Sequence, residues 1–392
     1  MSAPRNILAL IGPRLIATDS LTPILLELKA ERPEITVSFL VVDRRWFSVL
    51  TANVVLFSAL AGLGPFRFLS DGTGSKLGKI KAGLRLLRHL ALVLARPTIL
   101  FGYADFGFFP YNLLAACTRW RGGKVILHAK PPYPFAPDLR AQYETLVAKK
   151  DVTMRDDGDI FLLFHPEQVV DYAPFTTKTP TVIGTPRIFP RWRDHLDRYQ
   201  QEQGLTDWEG APIDIGGRLV FTMSYIGELQ SPLNFTVSDA RTLTHRFFEA
   251  VRDTVPDALI IIKPHPLADM AMLRQDVTDF KDLDIRVSLL HPQLLARVSV
   301  AGVFPHPSTV IDDFFIEGRP AIDILDYPPE ATDLTLFPNP AYISASTPER
   351  MRAVLAQIAA NPGGGPAPDT THLSHPKVPS LSDVLQSSPA AR

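Results

Sequence analysis

Short β-branched or aliphatic runs alternate with longer helical stretches throughout this chain, and that order leaves few architectures open. A strand followed by a helix and then another strand packs best as a parallel pair with the helix crossing over one face. In the first half the pattern predicts strands over 6–11, 36–42, 98–102, 124–128, 160–164 and 181–184, with helices at 18–31 and 79–95 between them. In the second half it predicts strands over 218–223, 258–263, 285–288, 298–303 and 320–323. A helix over 238–254 separates the first two of these, with Ser238 placed to cap it.

A length of 392 residues suits two ordinary domains, and a hydrophobic share of 46% gives each half enough apolar side chain for its own core. The polar stretch 191–217 reads as the link. The expected division is therefore an N-terminal Rossmann-like domain over 1–200 and a C-terminal one over 201–360. Residues 361–392, rich in Pro, Gly, Ser and Thr, read as a disordered tail.

The formal net charge of −1 argues against a nucleic-acid partner, which usually requires a basic excess. A single cysteine, Cys117, rules out an internal disulfide framework and a cysteine-rich zinc site. The opening MSAPRNILALIGPR reads as a first strand rather than a signal peptide. The most apolar stretch, 47–66, is broken by Ser48, Thr51, Asn53 and Ser58, so a spanning helix is not expected. The expected location is the cytoplasm, with peripheral attachment to the inner face of the membrane as a further option.

The strongest local signal is a buried strand running straight into Lys263-Pro264-His265-Pro266. Ligands of open parallel sheets bind beyond the carboxyl ends of the strands. Two prolines fix the turn, and an ammonium beside an imidazole suits a phosphate or diphosphate oxygen. The bland alternative is a strand-ending turn with a solvent-facing lysine. A second strand end leads into Phe304-Pro-His-Pro-Ser-Thr-Val-Ile-Asp-Asp313. There Ser308 and Thr309 can cap the next helix while facing an anion, and Asp313, one turn on, can accept ribose hydroxyls. An ordinary helix cap with acidic residues in its first turn reads the same way.

Lys263-Pro-His-Pro266 followed by Pro307-Ser-Thr-Val-Ile-Asp-Asp313, and then Gly318 and Pro320, resembles the HP and S motifs of bacterial surface-glycan transferases. These include CDP-glycerol glycerophosphotransferases, capsule-type Kdo transferases and bacterial sialyltransferases. The resemblance implies an α/β GT-B fold, with two Rossmann-like domains facing each other across a cleft. It implies a donor-nucleotide site of Lys263, His265, Ser308, Thr309 and Asp313, with a cytidine-linked donor favoured and a UDP-linked one possible. It further implies a glycan or lipid-linked acceptor and no cofactor. The segment Gly184-Thr-Pro-Arg-Ile-Phe-Pro-Arg-Trp192 is similar to one at the domain junction of such transferases.

Two groups compete for the role of catalytic base. His128 ends a strand in His128-Ala-Lys-Pro-Pro132, similar to the His-Gly-x-x-Lys of the glycerophosphotransferases, and a neutral imidazole can take an acceptor hydroxyl's proton. Asp156-Asp157-Gly158 resembles the acidic motif of sialyltransferases, with Asp157 as the base, but also reads as a turn. No Asp-x-Asp motif points to a metal. A UDP-sugar transferase, a sugar-nucleotide epimerase and a non-catalytic nucleotide- or glycan-binding protein remain alternatives.

Residues 72–104 carry no acidic side chain but hold Lys76, Lys79, Lys81, Arg85, Arg88 and Arg96 among many leucines. Such a helix either lies on an anionic membrane surface or packs in the core with a solvated basic edge.

Overall fold

The computed structural model describes residues 5–12, 14–72, 75–103, 110–129, 158–173, 176, 179–227, 238–266, 268–306, 308–326, 338–373 and 380–386. These fall into two compact units, one built from residues up to 129, 158–198, 373 and 380–386, the other from 199–372.

The first unit is built on seven strands: β1 (Asn6–Ile11), β2 (Thr36–Asp43), β3 (Phe66–Ser70), β4 (Thr98–Tyr103), β5 (Lys124–His128), β6 (Ile160–Leu163) and β7 (Thr181–Val182). They pair in parallel in the order β3-β2-β1-β4-β5-β6-β7. Its helices include α1 (Leu15–Glu31), α2 (Arg44–Ala52), α3 (Val54–Leu63), α4 (Lys76–Ala95) and α5 (Tyr111–Trp120). Strands such as Thr98–Tyr103 are buried along their whole length, as expected where helices cover both faces of a sheet. The chain runs outward from β1 to β3, returns, and continues from β4 on the other side, so the order reverses between β1 and β4.

The second unit repeats the plan with β8 (Val220–Tyr225), β9 (Leu259–Pro264), β10 (Asp284–Val287), β11 (Ala301–Phe304), β12 (Ala321–Asp323) and β13 (Tyr342–Ser344). Their order is β10-β9-β8-β11-β12-β13, again all parallel, with the reversal between β8 and β11.

Two strands, β3 and β13, carry no clear alternation in the sequence. Both are edge strands, and in Phe66-Arg-Phe-Leu-Ser only Leu69 is buried, while Phe66 stacks on Phe39 at 4.9 Å. The helix expected from Ser238 begins instead at Ala240, capped by Asp239, whose side chain accepts from the Thr242 N–H. Ser238 bonds to Asp326. The polar stretch 191–217 does separate the sheets, but its first part is the helix Pro190–Gln203, which buries Trp192 and Leu196.

The expectation of a disordered tail from 361 needs correcting at two places. Thr371–Leu373 forms a short 3-10 turn whose Leu373 carbonyl accepts from Thr185 N–H, and Leu381–Gln386 is a helix. Leu373, Leu381 and Val384 are buried, and Ser380 and Ser382 both bond to Glu31 of α1. Three apolar anchors in a Pro- and Ser-rich stretch are too sparse to show as periodicity, yet they suffice to dock it.

Candidate functional site

Three neighbouring strands of the second sheet, β9, β8 and β11, end together at the point where strand order reverses. In an open α/β sheet that crevice is where ligands bind. β9 delivers Lys263 and, just beyond it, His265, whose backbone N–H donates to the Tyr225 carbonyl at the end of β8 at 2.7 Å. β11 runs into Phe304-Pro-His306, and the His306 Nε2 lies 3.4 Å from Ser224 Oγ, also at the end of β8. The two imidazoles thus flank one strand end, with ring centroids 6.4 Å apart and planes almost perpendicular.

Both rings are held neutral. Burial, and then the charge of Lys263, keep His265 below the ordinary imidazole pKa. Burial, with a smaller contribution from His265, pushes His306 down to about 3. His306 Nδ1 is buried with no hydrogen-bond partner among the described residues. An anion arriving here would offer both rings an acceptor and raise their proton affinity. In the sequence alone His306 looks only like the approach to Ser308. Its signal was the repeat of Pro-His-Pro at both strand ends.

Ser308 Oγ accepts from the Val310 N–H at 3.2 Å, so it caps locally, as expected of a serine before a helix. The helix Ile311–Ile316 has only six residues, and its first residue is preceded by Val310 rather than by a side-chain cap. Thr309 is buried, and Asp313 is wholly so.

Behind the strand ends sits a polar network that the sequence did not announce. Asp276, 0% exposed, accepts from Tyr225 Oη at 2.6 Å, from Arg241 Nε at 2.9 Å and Nη2 at 2.7 Å, and from His245 Nε2 at 3.0 Å. Burial alone would raise the Asp276 pKa, but these bonds outweigh it and lower it. The network ties the end of β8, whose Tyr225 carbonyl accepts from the His265 N–H, to the helices Ala240–Thr254 and Met270–Asp279.

In the first unit, His128 closes β5 with 1% exposure, ringed by Phe101, Tyr103 and Phe164. Its Nδ1 lies 2.8 Å from the Ala129 carbonyl oxygen, which can only accept, so Nδ1 carries the proton and Nε2 the lone pair. Burial, only partly opposed by that bond, lowers its pKa to about 4. Arg14, after β1, stacks over the Tyr103 ring at 5.6 Å, bridging the reversal between β1 and β4. Asp156 and Asp157 lie outside the described residues; Gly158 has φ +70°, and a Cβ there would stand 2.9 Å from the Val125 carbonyl oxygen. Arg187, within Gly184–Trp192, makes a buried ion pair with Asp19 of α1 at 2.5 Å, so that segment is an anchor for the first unit.

No protein-family model and no curated protein sequence matches the chain. Solved structures do. A UDP-GlcNAc 2-epimerase from Methanocaldococcus jannaschii superposes with a TM-score of 0.55 at 12% identity, over 97% of this chain and 98% of its own. A second UDP-N-acetylglucosamine 2-epimerase gives 0.53 at 12% identity, over 94% and 93%. The glycosyltransferase SnogD from Streptomyces nogalater gives 0.47 at 14% identity, over 97% and 98%. Identities this low speak for fold alone. Two parallel Rossmann-like sheets with helical crossovers, matched end to end by the two epimerases, give this chain the GT-B fold.

Proposed function

We propose that this protein is a nucleotide-sugar-dependent transferase that binds the donor's phosphates at the ends of β8, β9 and β11. The observation that carries the reading is the gathering of Lys263, His265 and His306 at the reversal point of the second sheet. The transferred group is a sugar or polyol phosphate, and the acceptor a bacterial surface glycan such as capsule, lipopolysaccharide or teichoic acid.

The chemistry is a displacement. An acceptor hydroxyl oxygen attacks the activated carbon or phosphorus, the bond to the leaving phosphate breaks, and the nucleotide departs with the electron pair. Lys263 and the two imidazoles meet the charge that builds on the leaving oxygen, doing without a metal ion. His128 Nε2 takes the proton from the acceptor hydroxyl; its fixed tautomer supplies the lone pair. Asp157 is the alternative base.

The names of the two epimerases favour a second reading, in which a UDP-linked sugar is epimerised rather than transferred. The base is cytosine if the motif resemblance decides, uracil if the fold neighbours do. Incubating the protein with CMP-, CDP- and UDP-linked donors, and following both released nucleotide and sugar configuration, separates these. Nucleotide release that depends on acceptor supports transfer, and an epimerised sugar with no glycan growth supports the second reading. Binding without turnover makes the chain a non-catalytic binding protein. No response to any nucleotide overturns the proposal.

A further inference from the structure

α4 presents two apolar faces where a helix packed on a sheet needs one. Leu86 and Val93 are buried in the core of the first unit, together with Leu114 and Ala115 of α5. Leu77, Ile80, Leu84 and Leu87, spaced three, four and three residues apart, form a second stripe, with each side chain 61–63% exposed. That spacing places all four on one side of the helix. Beside them, Lys81 follows Leu77 and Arg88 follows Leu84 by one turn, so cations line one edge of the stripe.

The same edge opens on a cavity of about 300 Å³ lined by Arg44, Arg67, Arg85, Arg88, His89 and Asp71, with Phe68. Four guanidinium groups face one carboxylate. That carboxylate, Asp71, is engaged by Arg85 at 2.6 Å, and Arg44 lies over the Phe68 ring at 5.7 Å. His89 is 3% exposed, and its Nδ1 has no hydrogen-bond partner among the described residues. Such a site suits a phosphate group, which arginines grip with paired donors.

We propose that this cavity binds the phosphate of an anionic lipid headgroup and that the exposed stripe of α4 seats the first unit on the bilayer that carries it. Charge decides the occupant. A second copy of this face would bring like-charged arginines together, whereas an anionic bilayer offers phosphates to the cavity and hydrocarbon to the stripe. An aromatic anchor stands nearby: Arg121 Nε donates to the Leu94 carbonyl at 2.9 Å, joining the ends of α5 and α4, and Trp120 there is 80% exposed. Among the described residues no single helix is long and apolar enough to cross a membrane, so the contact is interfacial. The inference does not depend on the donor site, because attachment is measured without turnover.

The full chain is sedimented with vesicles of phosphatidylcholine alone and of phosphatidylcholine with phosphatidylglycerol, at low and high salt. Two variants accompany it, Leu84→Ser/Leu87→Ser and Arg67→Gln/Arg88→Gln. All four positions carry exposed or half-exposed side chains, and melting curves check that the variants fold. The wild type is expected to bind only the anionic vesicles and to be released by salt, since the attraction decays within a Debye length. Each variant should lose at least about tenfold in partitioning. Equal sedimentation of wild type and both variants, or none by the wild type, overturns the proposal. So does a dimer in light scattering that the leucine variant disperses. Stabilisation by inorganic phosphate without vesicle binding overturns it too, leaving a site for soluble phosphate.

Discussion

Asp276→Ala is expected to destabilise the second unit by roughly 3 kcal/mol, at the lower end of what breaking a buried ion pair costs. The carboxylate is fully buried and accepts four hydrogen bonds from three side chains, Tyr225, Arg241 and His245. Removing it strands the Tyr225 hydroxyl in the core. Arg241 and His245 are about a third exposed and recover water, which is why the larger values in that range do not apply. Asp276→Asn keeps an acceptor for Tyr225 but not the charge, and should fall between. Urea unfolding followed by tryptophan fluorescence and circular dichroism reads the difference. A loss below about 1 kcal/mol for Asp276→Ala would mean that the network does not hold β8 to its helices.

Acid should destabilise this protein well above the pH at which carboxylates titrate. His89 and His128 in the first unit are pushed down to about 4, and His306 in the second to about 3, in each case first by burial. Between pH 6.5 and these values an unfolded histidine binds a proton and the folded one does not. Stability therefore rises with pH across the window and drains away as pH falls through it. Each such histidine accounts for about 1.4 kcal/mol per pH unit. From pH 6 to pH 5 the first unit, with two, should lose about 2 kcal/mol, and the second about half of that, since the unfolded imidazole is not yet fully protonated at pH 6. Lowered carboxylates such as Asp276 act only below about pH 4, so they do not mimic the effect. Urea midpoints at pH 8, 6 and 5 test this, with His128→Gln expected to flatten the dependence. Stability that stays level from pH 7 to pH 5 would contradict it.

The central strands of both sheets were legible because burial on two faces forces near-continuous Val, Ile and Leu runs, as in Leu259-Ile-Ile-Ile. β3 and β13 were not, since an edge strand buries little and needs no such run. The placing of Lys263 and His265 at a strand end was legible because prolines after a strand mark its carboxyl end. The nearness of His306 to His265 was not, because only the parallel pairing of β8 with both β9 and β11 brings the second Pro-His-Pro beside the first. The Asp276 network was hidden for the same reason: its four members lie on three elements far apart in sequence. The burial of Thr309 and Asp313 was not legible either, since helical spacing puts two residues on one face without saying how deeply that face is covered.

Calorimetric titration of UDP and of CDP into the wild type and into Lys263→Ala/His265→Ala tests the placement of the donor phosphates most directly. At least one nucleotide should bind the wild type, and the double variant should bind it at least tenfold to a hundredfold more weakly, about what the loss of charge-assisted bonds to a phosphate costs. The melting temperature without ligand should change little, because both side chains lie at a strand end and keep partial exposure to solvent. Unchanged affinity in the variant, or no binding of either nucleotide to the wild type, would contradict a phosphate site at the ends of β8, β9 and β11.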